Sequence, residues 1–236
     1  MRTTPLVLFH ICMAVIGILS GYVAMFFRKG SGLHRAAGDV FVVSMLGMSA
    51  SAAYIATFQH PIRINVVAGL LTFYVVATGW WAGRRRKPMT TSPFDLAAFT
   101  IGVTATLVAI GSAFEAAGRP KGRLDGVPPA GYLVFGTIAL LFIASDVRML
   151  LRGGLTAVKR LRRHVWRMTF ALLFATVSLM PGQARQFPDS VRRNILVYIP
   201  HIFLVISMTY WLRRLRARKA TLRQAEIVDT ELAEAA

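Results

Sequence analysis

The sequence predicts an all-α integral membrane protein: a bundle of seven transmembrane helices with its N-terminus outside and its C-terminus in the cytoplasm. Three observations predict it. The 236 residues are 55% hydrophobic and 16% charged, with a mean hydropathy of +0.54, which exceeds the balance of a soluble domain. The apolar residues gather in runs near the roughly 20 residues that a helix needs to cross about 30 Å of hydrocarbon. Lys and Arg are distributed unevenly between successive gaps, as topogenic charge is. This composition excludes a soluble enzyme. Because polar stretches are confined to short connectors and a tail, it also excludes a disordered or repeat-built scaffold.

The first run, Pro5–Phe27, is too long for a cleavable signal and lacks both a basic leader and a small-residue cleavage pattern, so it is expected to remain in the mature protein. Six more runs follow, each bounded by charges, Pro or Gly: Asp39–Phe58, Ile64–Gly83, Leu96–Ala117, Ala130–Leu151, Val165–Gly182 and Ile195–Trp211. Residues 1–211 thus form the membrane domain and 212–236 a charged cytoplasmic tail. The basic half of that tail, Arg213–Arg223, is expected to lie against anionic lipid, and its acidic half, Glu226–Glu234, to fray in water.

Orientation follows from charge. Twenty of the 28 Lys and Arg residues fall in Arg28–Arg35, Arg84–Lys87, Arg148–Arg167 and the segment after Arg213, all on one side of the predicted membrane. The other side holds Arg2, Arg63, Arg119, Lys121, Arg123, Arg185, Arg192 and Arg193. The richer side is the cytoplasmic one. Trp80, Trp81, Trp166 and Trp211 fall at span ends on that same side, where indoles prefer the headgroup layer. The formal charge of +18 is explained by lipid headgroups and topology, because no basic stripe interleaved with stacking aromatics sits on a soluble module. The expected location is the cell inner membrane. The expected partners are the bilayer, anionic headgroups at the cytoplasmic face and, on small-residue faces, a second copy or another membrane protein, with no nucleic acid. The single cysteine, Cys12, permits no internal disulfide and reads as a small buried apolar residue.

Polar residues at membrane depth are the candidates for chemistry. Asp146 and Arg167 each lie about one turn inside the cytoplasmic ends of consecutive antiparallel spans, so an ion pair between them is expected, the alternative being that both snorkel to headgroups. The histidines divide by depth into an outer trio, His10, His60 and His201, and an inner pair, His34 and His164. Two imidazoles on different helices at one depth are what six-coordinate haem iron requires. His34 with His164, and His10 with His201, are therefore the candidate cofactor ligands of a haem b route for transmembrane electron transfer. From His10, the residues Ala14, Gly17 and Gly21 recur at the helical period; from His164, so do Ala171, Ala175, Ser178 and Gly182. Such faces admit a macrocycle or, more ordinarily, a neighbouring helix.

The alternative to a haem protein is thus a structural or interaction subunit of a membrane complex. Two further classes are a zinc-dependent membrane hydrolase using the outer trio and a transporter of protons or small molecules. The first lacks a pair of histidines spaced along one helix, with Glu115 out of register; the second lacks charges in the central turns of the third and fourth spans. No catalytic motif is present.

The stretch FHICMAVIGILSGYVAMFFRKGSGLHRAAGDVFVVSML resembles the opening of a bacterial predicted-membrane-protein family catalogued as a domain of unknown function, number 2306. The likeness rests on a first-span His followed by glycines, a Lys-Gly turn and a Leu-His-Arg entry, which fall here on His10, Gly17, Gly21, Lys29, Gly30, Leu33, His34 and Arg35. A second landmark, RHVWRMTFALLFATVSLMPGQ, is similar to the family's entry to a late span and falls on His164, Trp166, Arg167, Met168 and Gln183. The resemblance implies the multi-pass fold and favours His10, His34 and His164 as residues of interest, and it implies no activity.

Overall fold

The computed structural model describes residues 4–85, 91–179, 188–192 and 194–234, without the side chains of 191, 192 and 218–234. Arg2, Arg86, Lys87, Gly182, Gln183, Arg185 and Arg193 lie outside the described residues. The elements of the described residues are helices: α1 (Pro5–Phe26), α2 (Gly32–Tyr54, prolonged by a π-helical turn Ile55–Gln59), α3 (Arg63–Arg84), α4 (Pro93–Gly118), α5 (Pro129–Leu151), α6 (Ala157–Leu179), the short α7 (Asp189–Arg192) and α8 (Ile199–Glu234), which a 3-10 turn Ile195–Tyr198 precedes. Among the described residues the one extended pairing is an isolated antiparallel bridge, Leu124 to Val127, in the α4–α5 connector.

Local chemistry sets the ends. Thr4 caps α1 by accepting from the Val7 amide, with Pro5 at the first helical position. Ser92 and Asp95 form a capping box on α4. Between α1 and α2 the chain turns at Gly30, whose φ of +82° lies in the left-handed region that favours glycine. Here the Lys29 ammonium donates to the Ala24 and Met25 carbonyls at 3.1 and 2.6 Å, and His34 Nδ1 donates to Ala24 O at 2.9 Å. The last carbonyls of α1 are therefore satisfied by side chains of the Lys-Gly turn and the Leu-His-Arg entry. Burial lowers the affinity of Lys29 for its proton, so its pKa falls below the ordinary lysine value.

Among the described residues, six helices are long and apolar enough to cross a membrane: Pro5–Phe26, Gly32–Gln59, Arg63–Arg84, Pro93–Gly118, Pro129–Leu151 and Ile195–Ala217. The expected sixth span differs. Its helix begins at Ala157, well before Val165, and its first half carries Lys159, Arg160, Arg162, Arg163, His164 and Arg167, so composition alone does not mark it as a span. It is nonetheless 23 residues long, about 34 Å of helix. The last helix also differs from expectation, because α8 continues from the apolar segment into the tail without a break.

α3 is the centre of the bundle. It packs on α2, α4 and α6 and touches α5, and it buries Val67, Leu71, Tyr74, Val75 and Val76. Large apolar side chains such as Leu19, Val43, Phe58, Leu107, Phe114 and Ile206 remain on the outside, the pattern of a surface that meets lipid. Cys12 belongs to this outer surface, exposed rather than buried as expected, because α1 packs through the face that carries Gly17, Ile18 and Gly21.

Glycine decides how closely the helices approach. A Cβ at Gly17 would stand 3.1 Å from Met45 Sδ, and one at Gly21 would stand 2.8 Å from Leu172 Cδ1 and 2.9 Å from Phe41 Cδ2. The small face of α1 is therefore filled by α2 and α6 of the same chain.

Candidate functional site

The strongest concentration of buried polarity lies where α3, α5 and α6 meet. Asp146 on α5 is 1% exposed, Arg167 on α6 is 0% and Arg163, one turn earlier on α6, is 6%. Both arginines donate to the single carboxylate. Arg163 uses Nη1 for Asp146 Oδ1 and Nη2 for Oδ2, the latter at 3.1 Å. Arg167 uses Nη2 for Asp146 Oδ1 and, at 3.3 Å, for the Phe142 carbonyl, and its Nη1 donates to Thr78 Oγ1. Tyr74 Oη donates to Asp146 Oδ2 at 2.5 Å. The Arg167 guanidinium carbon also sits 5.1 Å from the ring centres of both Tyr74 and Phe142, an arrangement that helps hold a desolvated cation.

The sequence folds this way because three helical registers coincide. Tyr74 and Thr78 are one turn apart on α3, Phe142 and Asp146 on α5, and Arg163 and Arg167 on α6, so each helix presents two groups on one face. Gly79 and Gly83 on α3 let α6 come close: a Cβ at Gly79 would stand 2.8 Å from Arg167 Cβ and 2.9 Å from Met168 Cε, and one at Gly83 would stand 2.5 Å from His164 Nδ1. This small-xxx-small stripe is a close-packing device.

The structure brings Asp146 and Arg167 together as an ion pair. Arg163, Tyr74 and Thr78 are partners that the sequence reading missed. Their signals were present as the one-turn spacing of Arg163 and Arg167 and as the Tyr74, Thr78 and Gly79-x-x-x-Gly83 pattern on α3.

The four candidate haem ligands share one feature. In each, Nδ1 donates to a main-chain carbonyl: His10 to Met48 at 3.0 Å, His34 to Ala24 at 2.9 Å, His164 to Gly79 at 3.0 Å and His201 to Val197 at 3.1 Å. The lone pair of each neutral ring is then on Nε2. Position separates them. His201 stands two residues from Phe203, whose ring stacks at 5.2 Å on Phe26 at the C-terminal end of α1. His10 is sixteen residues away from Phe26 along that helix, about 24 Å. The structure does not bring His10 and His201 to one depth, and His10 is held instead against Met48 and Ser51 of α2. His34 and His164 do share the basic end of the bundle, His34 against the last turn of α1 and His164 against the last turns of α3. Of the two expected ligand pairs, the inner one thus shares an end of the bundle and the outer one does not. His60 is exposed, and among the described residues no group of three or more His, Cys, Asp or Glu is placed to hold a metal ion.

At the opposite end of the bundle Glu115 accepts from Arg63 and from Arg119, and Asp125 accepts from the Arg63 amide at 2.9 Å. These groups are exposed, and they tie the start of α3 to the end of α4 and to the loop that follows.

No family model, no curated protein and no solved structure matches this chain. The arrangement of its own residues therefore carries the functional argument.

Proposed function

We propose that this chain is a seven-span inner-membrane protein of the resembled family, with its C-terminus in the cytoplasm, and that it recognises a ligand at the arginine network of α3, α5 and α6. α6 is the sixth of the seven spans in this reading, added to the six that apolarity marks. Packing against the central α3 supports it, as do the burial of Arg167, Leu172 and Ala175 and a length near that of the bilayer core. Of its charges, Arg163 and Arg167 turn inward to Asp146 rather than toward lipid, and Lys159, Arg160 and Arg162 belong to its first turns at the basic end of the bundle.

One observation carries the ligand reading: a single buried carboxylate holds two buried guanidinium groups. A purely architectural pair needs one arginine. The second costs desolvation and leaves a net positive charge at membrane depth. Arg167 has an evident structural task, since it joins Thr78, Phe142 and Asp146 across three helices. Arg163 bonds, among the described contacts, with Asp146 alone. Removing Arg163 would still leave Asp146 Oδ1 held by Arg167 and Oδ2 held by Tyr74. A second buried guanidinium with no architectural task supports a binding role for Arg163. The reading as a packing subunit is less supported, because the small face of α1 is occupied from within the chain.

The test compares two variants of the purified protein by thermal melting. Arg163→Gln is expected to melt at or above the wild-type temperature, because it removes an excess charge and orphans nothing. Arg167→Gln is expected to lose about 3 kcal/mol or more, or roughly 6–12 °C for a chain of this size. Equal losses in the two variants would mean that the network is architectural and would overturn the reading.

A further inference from the structure

The identity of the ligand follows from what the two arginines leave unused. Arg163 spends Nη1 and Nη2 on Asp146, and Arg167 spends its Nη groups on Thr78, Asp146, Phe142 and Tyr74. The Nε–H of each is buried and has no hydrogen-bond partner. The Arg163 and Arg167 side chains are 4% and 0% exposed, so water does not satisfy these donors from bulk. Buried guanidinium N–H groups without acceptors are costly, and here they coincide with an unbalanced positive charge. A missing partner must therefore be an acceptor, and it must be negative.

The surroundings narrow the class. Between Asp125 and Asp189 the sequence has one acid, Asp146, whereas Arg148, Arg152, Lys159, Arg160, Arg162, Arg163 and Arg167 crowd the α5–α6 turn and its two helices. Arg162 is exposed and Arg160 half-buried on the same turns of α6, so a basic approach leads to Arg163 from the end of the bundle. Metal cations are repelled along this path. A halide takes up charge but offers no fixed second acceptor, whereas a tetrahedral or planar oxyanion offers several oxygens to a forked donor.

We propose, resting on the ligand-binding reading above, that the network binds the phosphate group of an anionic ligand, with Arg163 as the binding residue and Arg167 and Asp146 as its positioning residues. Arg163 donates its free Nε–H to one phosphate oxygen and exchanges one Asp146 oxygen for another. Asp146 keeps Arg167 and Tyr74, so no buried acceptor is abandoned, and the network becomes neutral. The phosphate belongs either to a lipid headgroup of the basic-side leaflet or to a soluble compound.

Melting of the full-length protein in nanodiscs separates these sources. Tryptophan fluorescence is a suitable probe, because the Trp166 ring stacks on Phe142 at 4.6 Å beside the network. At ionic strength fixed with chloride, inorganic phosphate added to phosphatidylcholine discs is expected to raise the melting temperature by roughly 2–4 °C or more if the phosphate is soluble. Phosphatidylglycerol mixed into phosphate-free discs is expected to do so if it is lipid-borne. A rise in either arm that Arg163→Gln abolishes and that Lys121→Gln, an exposed cation in the α4–α5 connector, keeps supports the proposal. No rise in either arm overturns it, as does a rise that Arg163→Gln retains or that Lys121→Gln equally removes. Should Arg163→Gln not fold, Arg163→Lys gives the readout: it keeps the charge without the fork and should lose most of the rise, and an undiminished rise overturns the proposal. A stable Arg163→Gln together with flat responses of the wild type would discard phosphate while leaving the ligand-binding reading in place.

Discussion

Asp146→Asn is expected to be the most damaging single substitution in this protein, costing about 3–5 kcal/mol and in practice most of the folded yield. The carboxylate is the sole acid described in the network, and three donors converge on it from α3 and α6. An amide of the same shape removes the negative charge, leaves two buried guanidinium groups facing one another and aims its own NH2 at donors. Coulombic repulsion at short range in a low-dielectric interior is then unopposed. The remedy is as specific as the injury. Arg163→Gln in the same chain removes one of the two cations and should restore part of the loss, so the two substitutions combine far from additively. Yield and melting temperature of the two single variants and the double variant, purified in one detergent, provide the measurement. Equal stability of Asp146→Asn and wild type would mean that the arginines find other partners.

The second large effect comes from packing rather than charge. Gly79→Val is expected to cost about 1–3 kcal/mol, because the first added carbon already meets Arg167 Cβ at 2.8 Å and Met168 Cε at 2.9 Å. A Cβ belongs to the rigid root of a side chain and cannot swing away, so α6 must withdraw from α3 as a body. Withdrawal would stretch the bonds from Arg167 to Thr78 and Tyr74, so the loss exceeds that of overpacking alone wherever those bonds break. At Gly111, where a Cβ would meet nothing within 4 Å, Gly→Val on the same kind of helix should be nearly neutral. Comparing the melting temperatures of the two variants isolates the close approach from the general effect of valine in a helix.

Hydropathy was a good guide to the elements that face lipid and a poor guide to what lies inside. Four of the apolar runs coincide with helices to within a few residues, because a continuous apolar run is both the condition for crossing a bilayer and a signal for helix. The meeting of Asp146 and Arg167 was legible for a related reason, since consecutive antiparallel helices bring residues near their shared turn to one depth. Tyr74 and Thr78 were not, because nothing in composition marks α3 as the central helix. Only the contacts of α2, α4 and α6 with it do so. Arg163 was hidden by its neighbours: among Arg160, Arg162 and Arg163, periodicity alone does not single out the residue that turns inward. Counting from span ends puts His201 at the depth of His10. The actual register of α8 is set by Phe203 on Phe26 and by Lys29 lying 5.7 Å from the Trp211 ring, contacts that require the fold.

Everything proposed for the network depends on α6 crossing the bilayer, and side-specific labelling tests this directly. With Cys12→Ser as background, Thr156→Cys and Ser190→Cys place single thiols at exposed positions before and after α6. A membrane-impermeant maleimide should label Ser190→Cys in intact cells and Thr156→Cys only in inverted vesicles. Labelling of both from the same face would mean that α6 does not span, and the buried arginine site would have no place in the membrane.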